Sequence, residues 1–259
     1  MDLGIAGRKA IVCASSRGLG RACALALAQA GCDVVVNGRD GKALAATAAE
    51  LKATSRRQVI AVEGDVATPQ GQAALLAACP APDILVNNNA GPPFRDFRQL
   101  NREAMLDGVI ANMVVAIELT QKVIDAMVAK KFGRIVNITS GPVKMPLAGL
   151  DLSSGARAGL TLFSPGSRAR WRRQTSPSTS CCPARSTPSG SLPTLQPPPR
   201  PKASRSTRPR RSAWPRVPAR RFGAPDEFGA ACAFLCLAQA GYITGQSLLI
   251  DGGAFPGVM

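Results

Sequence analysis

No histidine occurs anywhere in the 259 residues, and tyrosine occurs once, at Tyr242. The eight cysteines are scattered, and none forms a CxxC pair. With no CxxC pair and no histidine, no zinc site and no other metal ligand set is expected. The six cysteines outside 181–182 read as small buried apolar residues. No run of about 18 apolar residues is present, so no membrane-spanning helix is expected. The N-terminus, MDLGIAGRKAIVCASS, has no apolar stretch leading to a cleavage site. A cytoplasmic protein without a membrane partner is the expectation.

What the chain has in excess is positive charge, with 32 Lys and Arg against 16 Asp and Glu. A net +16 ordinarily points to nucleic acid or an acidic surface. Its distribution says otherwise. Residues 164–216 hold 12 of the basic residues and no acidic one, with 11 of the 21 prolines and both tryptophans. Elsewhere 20 basic residues face 16 acidic ones. An ordinary domain is interrupted by one abnormal stretch. The 46% apolar content is enough for a sizeable core.

Outside that stretch, strands and helices alternate. KAIVCAS (9–15), DVVVNGR (33–39), QVIAVEGDV, DILVNNNAG and GRIVNITS (133–140) are short β-branched or apolar runs. Between them lie RACALALAQAG with Gly31 as its C-cap, GKALAATAAELKAT (41–54) and QGQAALLAAC. A longer helix is expected from about Asn101 to Lys130, with an irregularity at Gly108. SSGARAGLTLF begins another helix. PDEFGAACAFLCLAQ and GQSLLIDGG supply the last helix and strand. This order implies a single doubly wound α/β domain over residues 1–259, Rossmann-like, with a mainly parallel sheet covered on both faces.

In CASSRGLG (Cys13–Gly20), Gly18 and Gly20 suit a strand–helix turn whose backbone N–H groups approach a pyrophosphate at a helix N-terminus. A tight turn alone would look similar, but its place after the first strand favours binding. With the motifs that follow it, the chain resembles the short-chain dehydrogenase/reductase family over residues 6–163 and 217–255. The glycine motif of that family, TGxxxGxG, keeps its last two glycines here, while Cys13 and Ala14 replace the opening pair. The resemblance assigns cofactor contacts to Ser15, Ser16, Arg17, Gly18, Leu19 and Gly20, to Asp65 and Val66 of GDV, and to Asn89, Ala90 and Gly91 of NNAG. It assigns catalysis to Asn112 of IANM and Ser140 of IVNITS. It further implies a small-molecule carbonyl or alcohol substrate, loosely a 3-oxoacyl thioester, and a homodimer or homotetramer.

Cofactor choice follows from the end of the second strand. An acidic residue there would bind the ribose 2′-OH of NAD. Gly38 stands there instead, followed by Arg39, with Arg17 in the glycine loop. Two guanidiniums can fork onto a 2′-phosphate, which favours NADP(H) over NAD(H). Two solvated surface arginines are the rival reading.

The chain departs from the family at its YxxxK motif. Counted from Ser140, Ser153 stands at the tyrosine position and Arg157 at the lysine position. A phenol can be tuned toward neutrality by a neighbouring cation, but an aliphatic hydroxyl is a far weaker acid. Arg157 can hold the ribose, yet exchanges no proton near neutral pH. Lys144 is the nearest titratable side chain in sequence, and reads first as a solvated loop lysine. Either another donor supplies the proton, or the chain is a non-catalytic NADP(H)-binding sensor or scaffold.

The abnormal stretch begins where the family continues a helix and then a sixth strand ending in Pro-Gly. The neighbouring reading frame takes the last base of each codon and the first two of the next. In that frame TSPSTSCCPAR (175–185) permits Asn-Val-Thr-Ile-Asn-Ile-Leu-Leu-Pro-Gly, a buried strand followed by Pro-Gly. Residues 164–216 therefore read as out-of-frame translation. The rival is a basic, Pro-rich insert that binds nucleic acid or an anionic surface. Taken literally, the sequence is expected to lack half a helix, a central strand and the substrate loop, because eleven prolines oppose strand pairing.

Overall fold

A computed structural model describes residues 2–171, 179–183 and 217–257. The apolar runs become strands β1 (Lys9–Val12), β2 (Asp33–Gly38), β3 (Val59–Glu63), β4 (Ile84–Asn87), β5 (Arg134–Ile138), β6 (Thr179–Pro183) and β7 (Ser247–Ile250). All pair in parallel, in the order β3-β2-β1-β4-β5-β6-β7. The chain lays β1 to β3 outward in one direction and then returns to place β4 beside β1. That reversal opens a crevice at the carboxyl ends of β1 and β4, the usual ligand position in such sheets.

Side-chain alternation along the strands divides the core into two layers. Ala10, Val12, Val34, Val36, Ile84 and Val86 face one layer. There they meet α1 (Gly18–Gln29), α2 (Gly41–Thr54) and α7 (Pro225–Cys236). Ile11, Val35, Leu85 and Ile135 face the other, against α3 (Pro69–Ala78) and α5 (Val115–Ala129). Strands buried on both faces explain why the runs are continuously apolar. Burial of each large aliphatic side chain stabilises the fold by roughly 1.5–3 kcal/mol. Cys13, Cys23, Cys32, Cys79, Cys232 and Cys236 are buried and unpaired by disulfides. Among the described residues no group of His, Cys, Asp and Glu could hold a metal, and no helix is long and apolar enough to cross a membrane.

Two expectations are corrected. The single helix over 101–130 is instead α4 (Arg102–Val109), a π turn over Ile110–Val114, and then α5. Gly108 is not the irregular point. It permits close packing, since a Cβ there would sit 2.4 Å from Leu152 Cδ2. The missing half-helix and central strand are present as well. Helix α6 runs from Asp151 to Trp171, and β6 lies between β5 and β7. Proline falls in β6 only at its last position, Pro183, so the other four residues keep their backbone donors. The remaining parts of the abnormal stretch, 172–178 and 184–216, lie outside the described residues.

Candidate cofactor cleft and catalytic site

The glycine loop is held in place by three side chains. Asn88 Nδ2 donates to Ala14 O at 3.1 Å, fixing the loop to the end of β4. Asn37 accepts from Ala14 N at 3.3 Å through Oδ1, and its Nδ2 donates to Val62 O and Gly64 O at 3.1 and 3.0 Å. Ser15 Oγ donates to Val12 O at 2.7 Å and accepts from Asn37 N at 2.9 Å. Ser15 is fully buried and its own N–H donates to Asn37 O, so it braces the loop and offers no donor to a ligand. Gly20 is required by crowding, because a Cβ there would lie 2.5 Å from Ala14 O. Gly18 adopts φ +58°, where glycine carries no steric cost. Ala14 adopts φ +44° without that freedom. Leu19 packs against the core, while the exposed Arg17 caps the N-terminus of α1 in extended backbone. Cys13 lies beneath the loop, and burial pushes its thiol up to about 12.

Beside this loop, Ser16, Gly38, Arg39, Gly64, Asp65 and Val66 help line a cleft of about 230 Å³. A Cβ on Gly38 would sit 2.7 Å from Ser16 Oγ, so the serine hydroxyl occupies the place where an acidic side chain would project. Both arginines carry a carboxylate partner. Arg17 Nη2 is paired with Asp40, and Arg39 Nη1 lies 3.4 Å from Asp65 Oδ2. Asp40 also caps α2, accepting from Ala43 N at 3.0 Å. That backbone hydrogen bond, with Arg17 beside it, holds the Asp40 carboxyl below the ordinary carboxylate range. Asp65 likewise accepts from Ala67 N at 2.9 Å, and Val66 is buried under the cleft.

The cleft continues past Asn89, Ala90 and Gly91 toward Asn112. Asn89 Nδ2 donates to Ala111 O at 3.2 Å, joining the end of β4 to the π turn. Asn112 is buried in that turn and donates through Nδ2 to Gly108 O at 3.0 Å. Arg157, from α6, donates through Nε to Asn112 Oδ1 at 3.0 Å. Its Nη1 donates to Thr139 O at 2.6 Å and to Ile138 O at 3.2 Å. Its Nη2 lies 3.8 Å from where a Cβ on Gly91 would sit. The guanidinium thus links α6, the end of β5 and the π turn, beside the NNAG loop.

Ser140 is half-buried at the end of β5, opening a short 3₁₀ turn over Gly141–Val143. Ser153 is 7% exposed in the first turn of α6. Lys144 follows the 3₁₀ turn in that loop. An apolar hollow of about 790 Å³ adjoins it, walled by Pro142, Met145, Leu147, Leu249 and Phe255.

Sequence reasoning passed over Asn37 and Asp40. The signal for the first was a lone polar residue closing the apolar run DVVVN. The signal for the second was an aspartate just ahead of a helical pattern.

A family model described as short chain dehydrogenase matches residues 8–185, and one described as Enoyl-(Acyl carrier protein) reductase matches residues 200–254. Nodulation protein G of Azospirillum brasilense is 32% identical over 250 residues, covering 94% of this chain and 96% of that protein. The 3-oxoacyl-[acyl-carrier-protein] reductase of Aquifex aeolicus is 26% identical over 259 residues, covering 98% and 100%. A crystal structure of L-sorbose reductase from Gluconobacter frateurii, complexed with NADPH and L-sorbose, shares the fold. Its TM-score is 0.84 at 23% identity, over 100% of both chains.

Proposed function

This chain belongs to the short-chain dehydrogenase/reductase family of oxidoreductases, and we propose that it interconverts a carbonyl and a secondary alcohol with NADP(H). The observation that carries the cofactor preference is the Gly38 position, where Ser16 Oγ fills the space of an acidic side chain and Arg39 lines the cleft, with Arg17 next to Ser16 in the glycine loop. A carboxylate at Gly38 would repel a 2′-phosphate, whereas guanidiniums bind one in a fork. When bound, the nicotinamide supplies or accepts the hydride.

The chain's own residues then have separate tasks. Asn88 and Asn37 keep the glycine loop open to a pyrophosphate. Arg157 holds the nicotinamide ribose. Ser140 and Asn112 position the substrate carbonyl and water, and Ser153 contributes at most a relay hydroxyl. Fixed hydrogen-bond donors stabilise a developing alkoxide without titrating, and the positioned water gives the alkoxide its proton and is itself reprotonated from solvent. The name of the Aquifex relative and the family resemblance both support a 3-oxoacyl thioester as substrate class. A homo-oligomer in the cytoplasm is part of the same reading.

A second reading, a non-catalytic NADP(H)-binding sensor, is favoured by two observations. Ser153 replaces the usual acid, and Arg157 is engaged with backbone carbonyls. Turnover separates the two. NADPH consumption against a panel of ketones and 3-oxoacyl thioesters supports the enzyme; tight NADPH binding with no consumption across the panel supports the sensor. Because residues 164–216 read as out-of-frame, sequencing the gene across codons 155–220 comes first. The test then uses the chain that sequencing returns.

A further inference from the structure

Two ion pairs stand beside the cleft at the end of β2: Arg39 with Asp65, both on its wall, and Arg17 with Asp40, the chain neighbours of Ser16 and Arg39. The carboxylates of Asp40 and Asp65 each hold one arginine. The Glu63 carboxylate lies against the start of α2, with Oε2 2.4 Å from where a Cβ on Gly41 would sit. A 2′-phosphate approaching this end of the cleft meets guanidiniums already paired with carboxylates, and Glu63 adds one further negative charge beyond those pairs. The two aspartates differ in what else they do. Asp65 lies directly on the cleft wall. Asp40 stands off the wall and is paired with Arg17, which follows the cleft-lining Ser16 in the glycine loop.

We propose that Asp40 sets cofactor selectivity by competing with the 2′-phosphate for the Arg17 guanidinium. This rests on the NADP(H) reading above and adds an opposing residue to it. In the free protein Arg17 is paired with Asp40; phosphate binding exchanges that carboxylate for a phosphate oxygen. The exchange forms one ion pair and breaks another, so Arg17 contributes less than an unpaired guanidinium would. The pair is well exposed, with side-chain accessibilities of 59% and 48%. Such pairs shift an equilibrium by about 2–5-fold, and removing the carboxylate also removes its direct repulsion of the phosphate. Asp40 is therefore a brake on NADP(H) affinity that NAD(H), without the phosphate, does not feel.

The second task of Asp40 makes the test clean. Its Oδ1 caps α2 by accepting from Ala43 N. Asparagine caps a helix as well as aspartate does, so Asp40→Asn removes the charge and keeps the cap. Asp40→Ser does the same with a shorter side chain and guards against a defect peculiar to the amide. Dissociation constants for NADPH and NADH are measured by fluorescence titration on the wild-type chain, Asp40→Asn, Asp40→Ser, Arg17→Ala and the Arg17→Ala/Asp40→Asn pair.

The NADPH constant is expected to fall about 3–10-fold in both Asp40 variants, with NADH changed less than about 2-fold. In the Arg17→Ala background the gain should shrink to the repulsion alone, under about 2-fold. An unchanged NADPH constant in both Asp40 variants overturns the proposal. So does an equal change for both cofactors, or a gain that persists in full without Arg17. The wild-type ratio of the two constants reports separately on the NADP(H) reading. A wild type that prefers NADH would contradict that reading, while the Arg17–Asp40 cycle still decides the role of Asp40.

Discussion

Arg157 Nε donates to Asn112 Oδ1 at 3.0 Å, so the residue counted to the lysine position grips the residue matched to the family's asparagine. The same guanidinium donates to the carbonyls of Thr139 and Ile138. A lysine ammonium has three donors on one atom and cannot span acceptors this far apart in one plane. Arg157 is consequently a positional anchor as well as a fixed charge.

Removing that anchor should cost both stability and activity. Arg157→Met leaves three carbonyl-type acceptors without their donor, and hydrogen bonds to charged groups are worth about 1.5–3 kcal/mol each in mutational series. A loss of about 2–4 kcal/mol in urea unfolding is expected. Arg157→Lys should recover part of the stability. A loss below about 0.5 kcal/mol in Arg157→Met would show that the three contacts do not bind α6 to the site.

Ala14 stands in left-handed backbone at φ +44°, where the family motif has glycine. An L-residue with a Cβ pays about 1–2 kcal/mol for that conformation, and the extra freedom of unfolded glycine returns about 0.4–1 kcal/mol of it. Ala14→Gly should therefore raise stability by up to about 1 kcal/mol and leave the glycine loop competent to bind cofactor. A lowered Tm would contradict the strain assigned to Ala14.

Gly108 allows α4 and α6 to approach each other ahead of the π turn. Gly108→Ala would put a methyl within 2.4 Å of Leu152 Cδ2. Overpacking of this kind costs about 1–3 kcal/mol. Since Asn112 donates to Gly108 O, kcat should fall more than the cofactor dissociation constant rises. Proportional changes in both would place the effect outside the catalytic end.

Acid should loosen the start of α7 before the sheet yields. The Arg221 side chain, donating from both Nη atoms to Glu227, and the Ala224 N–H together hold the Glu227 carboxyl at about 2 instead of 4.5. A depressed folded value means the contribution is complete above the unfolded value and is lost as pH falls from about 4.5 toward 2. Glu227→Gln should flatten the pH dependence of Tm across that window. An unchanged slope would show that this exposed pair contributes nothing measurable.

Much of the fold could be read from residue pattern. The runs AIV, VVV and ILV fill both layers, and α2 coincides with the helical spacing of GKALAATAAELKAT over 41–54. The π turn could not be read, because nothing in IANMV distinguishes five-residue from four-residue bonding. The cofactor loop was visible in its glycines, but not in Asn37, whose partners lie across three strands. Arg157 was found by counting from Ser140. Its grip on Asn112 joins residues 45 apart in sequence, a separation no local pattern encodes. The pairings of Arg17 with Asp40 and of Arg39 with Asp65 were missed for the same reason.

The central claim is that this site moves a hydride with fixed donors in place of a tyrosine acid. General acid catalysis usually supplies about 10²–10⁴-fold. The most direct test is the NADPH oxidation rate of the wild type beside Ser140→Ala, Ser153→Ala and Ser153→Tyr/Arg157→Lys, over pH. The account predicts slow wild-type turnover, mostly lost in Ser140→Ala and little changed in Ser153→Ala. It predicts a faster double variant that gains a titrating limb the wild type does not show. Ser153→Ala as damaging as Ser140→Ala, or a double variant no faster than wild type, would contradict it.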